Sequence, residues 1–321
     1  MPDQESLKIG VDLMGNENPP AELAAALEDL HLPENVHLVL FGAPLSRGLK
    51  HAQYVSTPEW IEMDDPPLYA LRRKKKASMC EGLRWLKAKK IGAFISAGNT
   101  GALVSSAKMI LGNISGILRP ALLARIPTKK NPVTVLDMGA NVQCKASHLV
   151  QFAKMGAAYS KIQGIDHPQV GLLNIGSEPI KGTSELRLAY QQLQKIDSDF
   201  HFVGNIESKS VFNGDVDVLI TDGFTGNVFL KTAEGIASLI LDRVAGFLPA
   251  NEYKKLHPKI KDLASTLHYA EHPGALLAGV RGVVIKCHGY STPGAFEKAI
   301  LGAVDLVRGN FSKIIEKLLI N

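Results

Sequence analysis

Short apolar runs alternate along this chain with Gly-rich turns and stretches of helical spacing. Leu7–Leu13 reads as a strand entering the turn MGNENPP, Glu22–Leu30 as a helix, and Val36–Phe41 as a strand closed by Gly42. Met79–Lys89 has helical periodicity; Ala93–Ala97 then reads as a strand, Gly98–Gly101 as a turn and Ala102–Leu111 as a helix. Val133–Asp137, Val170–Ile175, Phe200–Val203 and Val216–Thr221 are further strands, each followed by a Gly/Asn-rich turn, a helix, or both. Parallel strands need crossover connections, so this rhythm predicts an α/β fold, a largely parallel sheet with flanking helices. Ligands of open sheets of this kind sit at the carboxyl ends of strands. The Gly-rich turns fall at those ends, and they are expected to share one rim.

Two segments break the rhythm. Arg72, Arg73, Lys74, Lys75 and Lys76 form a compact basic run just before a helix. Residues 236–268 carry amphipathic helical spacing broken by Pro249 and Pro258, and read as a helical excursion from a single domain spanning 1–321. The C-terminal FSKIIEKLLI is one more amphipathic helix.

With 321 residues, 45% of them hydrophobic and 21% charged, the chain can bury a large core. No apolar run approaches the roughly eighteen residues a spanning helix needs. The opening MPDQESLKIG is polar and acidic, unlike a signal or transit peptide, so a cytoplasmic protein is expected. Cys80, Cys144 and Cys287 lie far apart with no ligand spacing, which argues against structural zinc and suits a reducing compartment. A net charge of +5 permits an acidic partner, while no zinc finger, RNP-like strand or long basic helix supports nucleic-acid binding.

Five segments carry candidate chemistry. In SAGNTGAL (Ser96–Leu103), a strand turning through Gly98, Asn99, Thr100 and Gly101 into a helix gathers free N–H groups that suit an anion; a tight turn with an N-cap would look the same. TDGFTGNVFLKT (Thr221–Thr232) repeats the arrangement with Asp222, Gly223, Thr225, Gly226 and Asn227. Two such turns in one sheet favour a phosphate-bearing ligand. In LLNIGSEPIKGTSEL, Lys181 precedes Gly182, the wrong order for a P-loop, yet it sits in a polar loop after a strand where it could meet phosphate or an oxyanion. VLDMGANVQCK closes a strand at Asp137 and turns through Gly139 and Asn141. GVVIKCHG ends a strand with Lys286 and His288.

Neither a G-x-S-x-G elbow nor a G-x-G-x-x-G fingerprint is present, which disfavours serine hydrolases and typical NAD enzymes. His257 and Asp262 have a His-x4-Asp spacing, but in a proline-broken, lysine-rich stretch rather than at a strand end, and it reads as coincidence.

Together these segments resemble the phosphate acyltransferase family, acyl-[acyl carrier protein]:phosphate transacylases of bacterial phospholipid synthesis, from about Lys8 to about Ala303. The resemblance implies a three-layer α/β/α fold like that of phosphotransacetylases and isocitrate-type dehydrogenases, and a homodimer. It implies transfer of a long-chain acyl group from acyl carrier protein to inorganic phosphate, a co-substrate, with no cofactor or metal. The acyl-phosphate would pass to a membrane glycerol-3-phosphate acyltransferase, placing the enzyme in the cytoplasm or at the inner face of the membrane. Asn16, Glu17, Gln143 and Ser177 depart from the family's usual residues; Asn16 is expected to tolerate a left-handed backbone in the first turn.

Phosphate is already ionised near neutral pH and needs positioning more than deprotonation. The expected arrangement has the turns at Gly98–Gly101 and Gly223–Asn227 holding phosphate against the thioester carbonyl, with Asn141 and Lys286 as further substrate contacts. Lys181, with Asn99 or Asn227, would stabilise the tetrahedral oxyanion. His288 or Asp222 would handle the proton of phosphate or of the departing thiolate. Arg72–Lys76 is the expected docking patch for acidic carrier protein, and 236–268 would serve a dimer, an acyl groove or a membrane contact. The rival readings are a phosphotransacetylase-like enzyme using acyl-CoA, and a non-enzymatic peripheral scaffold for lipid-synthesis proteins.

Overall fold

The computed structural model describes residues 6–45, 48–196, 200–267 and 274–320. The first half comprises β1 (Leu7–Asp12), α1 (Pro20–Glu28), β2 (Val36–Gly42), β3 (Gln53–Ser56), α2 (Pro67–Arg73), α3 (Ser78–Lys87), β4 (Ala93–Ser96) and α4 (Thr100–Ile110). There follow β5 (Ala121–Ile126), β6 (Val133–Leu136), α5 (Ala146–Ile162), β7 (Gln169–Asn174), α6 (Ser184–Leu193), β8 (His201–Glu207), α7 (Ser208–Val211) and β9 (Val218–Ile220). The chain ends with α8 (Gly223–Phe247), α9 (Ala250–Leu267), β10 (Ala275–Ala278), β11 (Val283–Lys286), α10 (Pro293–Arg308) and α11 (Phe311–Ile320).

These strands form one sheet in the order β3-β2-β1-β4-β11-β10-β5-β6-β9-β7-β8. The first five are mutually parallel, and so are the last four. Between the two groups, β11–β10, β10–β5 and β5–β6 are antiparallel pairings. Helices flank the sheet, and the α/β class read from the alternation is the one observed. Apolar side chains are buried on both faces, as the near-continuous apolar runs require. Ile9, Leu123, Phe152 and Phe296 belong to one core, and Phe41, Phe94, Leu122 and Leu230 to the other.

Three reversals leave the two parallel groups running in opposite directions. Their carboxyl ends therefore meet head-on at the centre of the sheet. Ser96 and Lys286, ending β4 and β11, are level with Ala275 on β10. Leu136, ending β6, is level with Leu123 and Leu276, one residue along. The expectation of a single rim is corrected to two facing ends. The cause is the pair β5 and β10, whose short apolar runs ALLARI and ALLA carry no alternation to separate strand from helix.

The C-terminal part of β9 leads straight into α8, a helix of 25 residues capped by Asp222. The helical segment expected to begin at residue 236 thus starts at Gly223 and carries cleft residues in its first turns. Pro249 separates α8 from α9, but α9 continues through Pro258, which does not break it. His268 lies outside the described residues. Among the described residues, no helix is long and apolar enough to cross a membrane.

Candidate active site

From the second group of strands, two turns interlock. The Asp137 carboxylate is fully buried and accepts the backbone N–H groups of Leu122, Ala140 and Asn141 at 2.9, 2.9 and 2.7 Å. Burial pushes its pKa up, partly offset by these donors. The Asn141 amide donates to Asp137 at 2.8 Å and to the Pro120 carbonyl at 2.7 Å, and the Asn141 carbonyl accepts from Gly223 N–H at 2.8 Å. Asp222 caps α8, accepting the Thr225 N–H at 2.8 Å and the Thr225 hydroxyl at 3.0 Å. A Cβ on Gly226 would lie 2.0 Å from the Asp137 carbonyl oxygen, so only glycine allows the turns this close. Asn141, Asp222, Gly223, Thr225 and Gly226 are thereby engaged in holding the turns together, and Asn227 is left over Gly139 at the cleft.

On the first group, Asp12 ends β1 and is buried. It accepts the Ser96 hydroxyl at 2.9 Å and the Met14 N–H at 3.1 Å, while the Ser96 oxygen accepts Gly98 N–H at 3.1 Å. Burial raises the Asp12 pKa to about 6. Gly15, not Asn16, is the left-handed residue of the first turn, with φ of 77°; Asn16 instead donates to the Ser291 carbonyl at 3.2 Å. Asn99 caps α4 by accepting Ala102 N–H at 3.0 Å, and its amide donates to the carbonyls of Met63 and Asp65 at 2.9 and 3.1 Å. That commitment leaves Asn99 as the cap of its helix rather than a cleft group. Gly101 packs against Pro67.

A cleft of about 430 Å³ opens where the two groups of strands meet. Of the residues singled out in the sequence, Thr100, Asn227, Lys286 and His288 line it. Its floor is apolar, with Leu122, Met138 and Leu230, and Glu17 stands at its wall. The Lys286 ammonium donates to the carbonyls of Ala97, at 3.1 Å, and Cys287. Burial, reinforced by the charge of Lys231, lowers its pKa to about 8. Burial also lowers the His288 pKa, so the ring is neutral near pH 7. His288 stacks on Tyr290 with ring centres 5.3 Å apart.

Sequence reasoning missed three groups here. Lys231 and Tyr290 line the cleft, and Glu234 stands behind it. Glu234 Oε2 is 3.1 Å from Lys231 Nζ, while Glu234 Oε1 is buried without a hydrogen-bond partner, 3.8 Å from His288 Nε2. Asn227, Lys231 and Glu234 recur at i, i+4 and i+7, the spacing of one helix face, which is the signal that would have found them.

Lys181 is not among the residues lining this cleft. It sits on the loop after β7, half-exposed, with Glu178 3.9 Å away. Gln143 and Ser177 are exposed. Within the basic run, Lys74 pairs with Asp65, whose pKa that contact lowers, Arg73 lies over the Tyr69 ring at 5.0 Å, and Lys76 N–H donates to Glu59 at 3.0 Å. Among the described residues no group of three or more His, Cys, Asp or Glu is placed to hold a metal ion.

The family described as "Fatty acid synthesis protein" matches residues 7–314. Phosphate acyltransferase from Clostridium tetani is 38% identical, with 98% of each chain covered, and that of Staphylococcus aureus strain MSSA476 is 40% identical over 92% of each. The chain belongs to the phosphate acyltransferase family. It is accordingly an acyltransferase, and the central cleft is the candidate active site of an enzyme. Solved structures show the same fold. A phosphotransacetylase from Streptococcus pyogenes superposes with a TM-score of 0.63 at 16% identity, covering 95% of this chain and 94% of that one. A branched-chain phosphotransacylase from Enterococcus faecalis gives 0.60 at 14%, covering 94% and 99%.

Proposed function

We propose that the enzyme transfers a long-chain acyl group from acyl carrier protein to inorganic phosphate, giving acyl-phosphate for phospholipid synthesis and free carrier. The observation that carries this reading is the desolvated Lys286 beside neutral His288 in a cleft with an apolar floor. Lys286 and Lys231 attract phosphate, and Thr100 and Asn227 orient it. A phosphate oxygen attacks the thioester carbonyl, forming the C–O bond, and Lys286 with Asn227 stabilises the oxyanion. Collapse breaks the C–S bond. His288 accepts the proton of hydrogen phosphate and passes it to the departing thiolate, so hydrogen phosphate and acyl thioester give acyl-phosphate and free thiol. The Glu234 carboxylate steadies the imidazolium formed in between. Lys181 contacts the incoming substrate rather than the reacting atoms.

Carrier protein is acidic, and the exposed Arg72, Lys75 and Lys76 suit its docking. Exposed Ile236, Leu239, Ile240 and Phe247 on α8 suit a second copy of the chain, giving a homodimer. The product would be handed to a membrane glycerol-3-phosphate acyltransferase, which fits a cytoplasmic enzyme working near the inner membrane face.

The test is thiol release and acyl-phosphate formation from acyl-carrier protein and acyl-CoA side by side. Preference for the carrier donor supports the reading. Turnover of acyl-CoA alone would replace it with the phosphotransacetylase reaction, and binding of carrier without turnover would leave a scaffold.

A further inference from the structure

The chemistry proposed above uses Lys286 and His288 but leaves a buried carboxylate near them without a role. Asp12, Ser96 and Lys286 end β1, β4 and β11, and the parallel register sets them level on three adjacent strands. Asp12 and Ser96 are both buried, and Asp12 is not among the residues lining the cleft.

A continuous chain of contacts runs from this carboxylate to the lysine. Asp12 Oδ2 accepts the Ser96 hydroxyl at 2.9 Å, and the same Ser96 oxygen accepts the Gly98 N–H at 3.1 Å. Ala97, between those two residues, presents its carbonyl to the Lys286 ammonium. The Ser96 carbonyl accepts the Cys287 N–H at 2.9 Å, so the residue after Lys286 is anchored to the same short segment. Asp12 Oδ1 accepts the Met14 N–H at 3.1 Å. Gly15 then packs backbone to backbone on that segment, since a Cβ there would lie 2.5 Å from Gly98 Cα. One carboxylate therefore fixes the turns after β1 and β4 together, and Lys286 takes its direction from the second of them.

We infer that Asp12 is a positioning residue for Lys286, holding through Ser96 the turn that aims the ammonium and supporting its positive charge. The inference rests on the acyl-transfer reading above, in which Lys286 stabilises the oxyanion. Charge and geometry act in the same sense. Burial raises the Asp12 pKa to about 6, so the carboxylate is ionised at neutral pH. Its charge raises the Lys286 pKa, against the larger lowering by burial. Lys231, facing Lys286 from α8, acts in the opposite sense. The Cys287 thiol, pushed up to about 12 by burial, is neutral, and so is His288 near pH 7. From α3, the Cys80 thiol facing Asp12 is likewise held neutral by burial.

Asp12→Asn removes the charge and keeps the size of the side chain. The direct readout is the pH dependence of Lys286 acetylation by acetic anhydride, followed by peptide mass spectrometry, because only the neutral amine reacts. The wild-type midpoint is expected at about 8. Asp12→Asn should lower it by about half a pH unit, less than a contacting charge would give, because no ion pair joins the two. The alkaline limb of kcat should move with it, and kcat should fall by about tenfold. A folded Asp12→Asn enzyme with midpoint and limb both unmoved would overturn the inference. Should that variant fail to fold, Ser96→Ala tests the same link, since it keeps the carboxylate and frees the turn. Lys286 should then acetylate faster at every pH, and kcat should fall by about tenfold. An unchanged acetylation rate in folded Ser96→Ala, whatever its kcat, would refute the positioning role. Wild-type enzyme inert toward every carrier thioester would sink the acyl-transfer reaction, while the acetylation midpoints would still judge whether Asp12 governs Lys286.

Discussion

The Lys286 ammonium lies 3.1 Å from the Ala97 carbonyl oxygen. It thus ties the end of β11 to the turn after β4 and is held at the wall of the cleft. Among the described residues no carboxylate forms an ion pair with it, and the two carbonyls fix its direction. With its pKa lowered to about 8, it is charged near neutrality but poorly solvated. Such a charge is worth more to a developing oxyanion than a solvated one. Lys286→Met should lower kcat by about 100-fold, the scale of losing one oxyanion donor. Lys181→Ala should instead raise KM, lowering kcat/KM by about tenfold with kcat little changed. Steady-state kinetics on both folded variants distinguishes the roles.

Activity should be bell-shaped in pH, measured at constant phosphate dianion. The alkaline limb comes from Lys286, whose proton is lost as pH rises through about 8. The acid limb comes from His288, which must be neutral to accept a proton and whose pKa burial holds below 6.5. Lys286→Arg should abolish the alkaline limb, because guanidinium stays charged throughout this range. An alkaline limb persisting in that variant would assign it to another group.

Glu234 raises the His288 pKa through its charge, against the larger effect of burial. Glu234→Gln removes that charge while keeping the shape, so the acid limb should move to lower pH and kcat should fall by about tenfold, within the usual worth of an assisted proton transfer. Loss of activity with an unmoved acid limb would mean that Glu234 serves only the fold.

Two glycines of α8 should respond oppositely to alanine. At Gly226 the new methyl would press on the Asp137 carbonyl, costing about 3 kcal/mol or more, since neither turn can retreat without breaking hydrogen bonds. At Gly235 nothing lies within 4 Å, and alanine should stabilise the helix by about 0.5–1 kcal/mol. Urea denaturation of the two variants measures the contrast.

The alternation of apolar runs and Gly-rich turns carried the α/β class, because each βα unit writes its own period into the chain. What the alternation could not carry was direction. β5 and β10 are short and buried on both faces, so ALLARI and ALLA lack the period that marks a half-buried strand, and the reversal they impose was invisible. Thr100, Asn227, Lys286 and His288 were legible because polar residues at strand ends and helix starts stand out against apolar neighbours. Asn99 and Asp222 stood out for the same reason, but their side chains cap helices. Capping and anion binding use the same residue types at the same positions, so sequence alone does not separate them. Lys231 and Glu234 look like an ordinary solvated face until the α8 helix is seen to cross the cleft.

The central claim is that carboxyl ends arriving from opposite directions form one phosphate site. The most direct measurement is a crystal structure of the protein soaked in inorganic phosphate. Phosphate bound within hydrogen-bond distance of Lys286 and Asn227, contacting both halves of the sheet at once, is the result expected. Phosphate held by either half alone, or found only outside the central cleft, would contradict it.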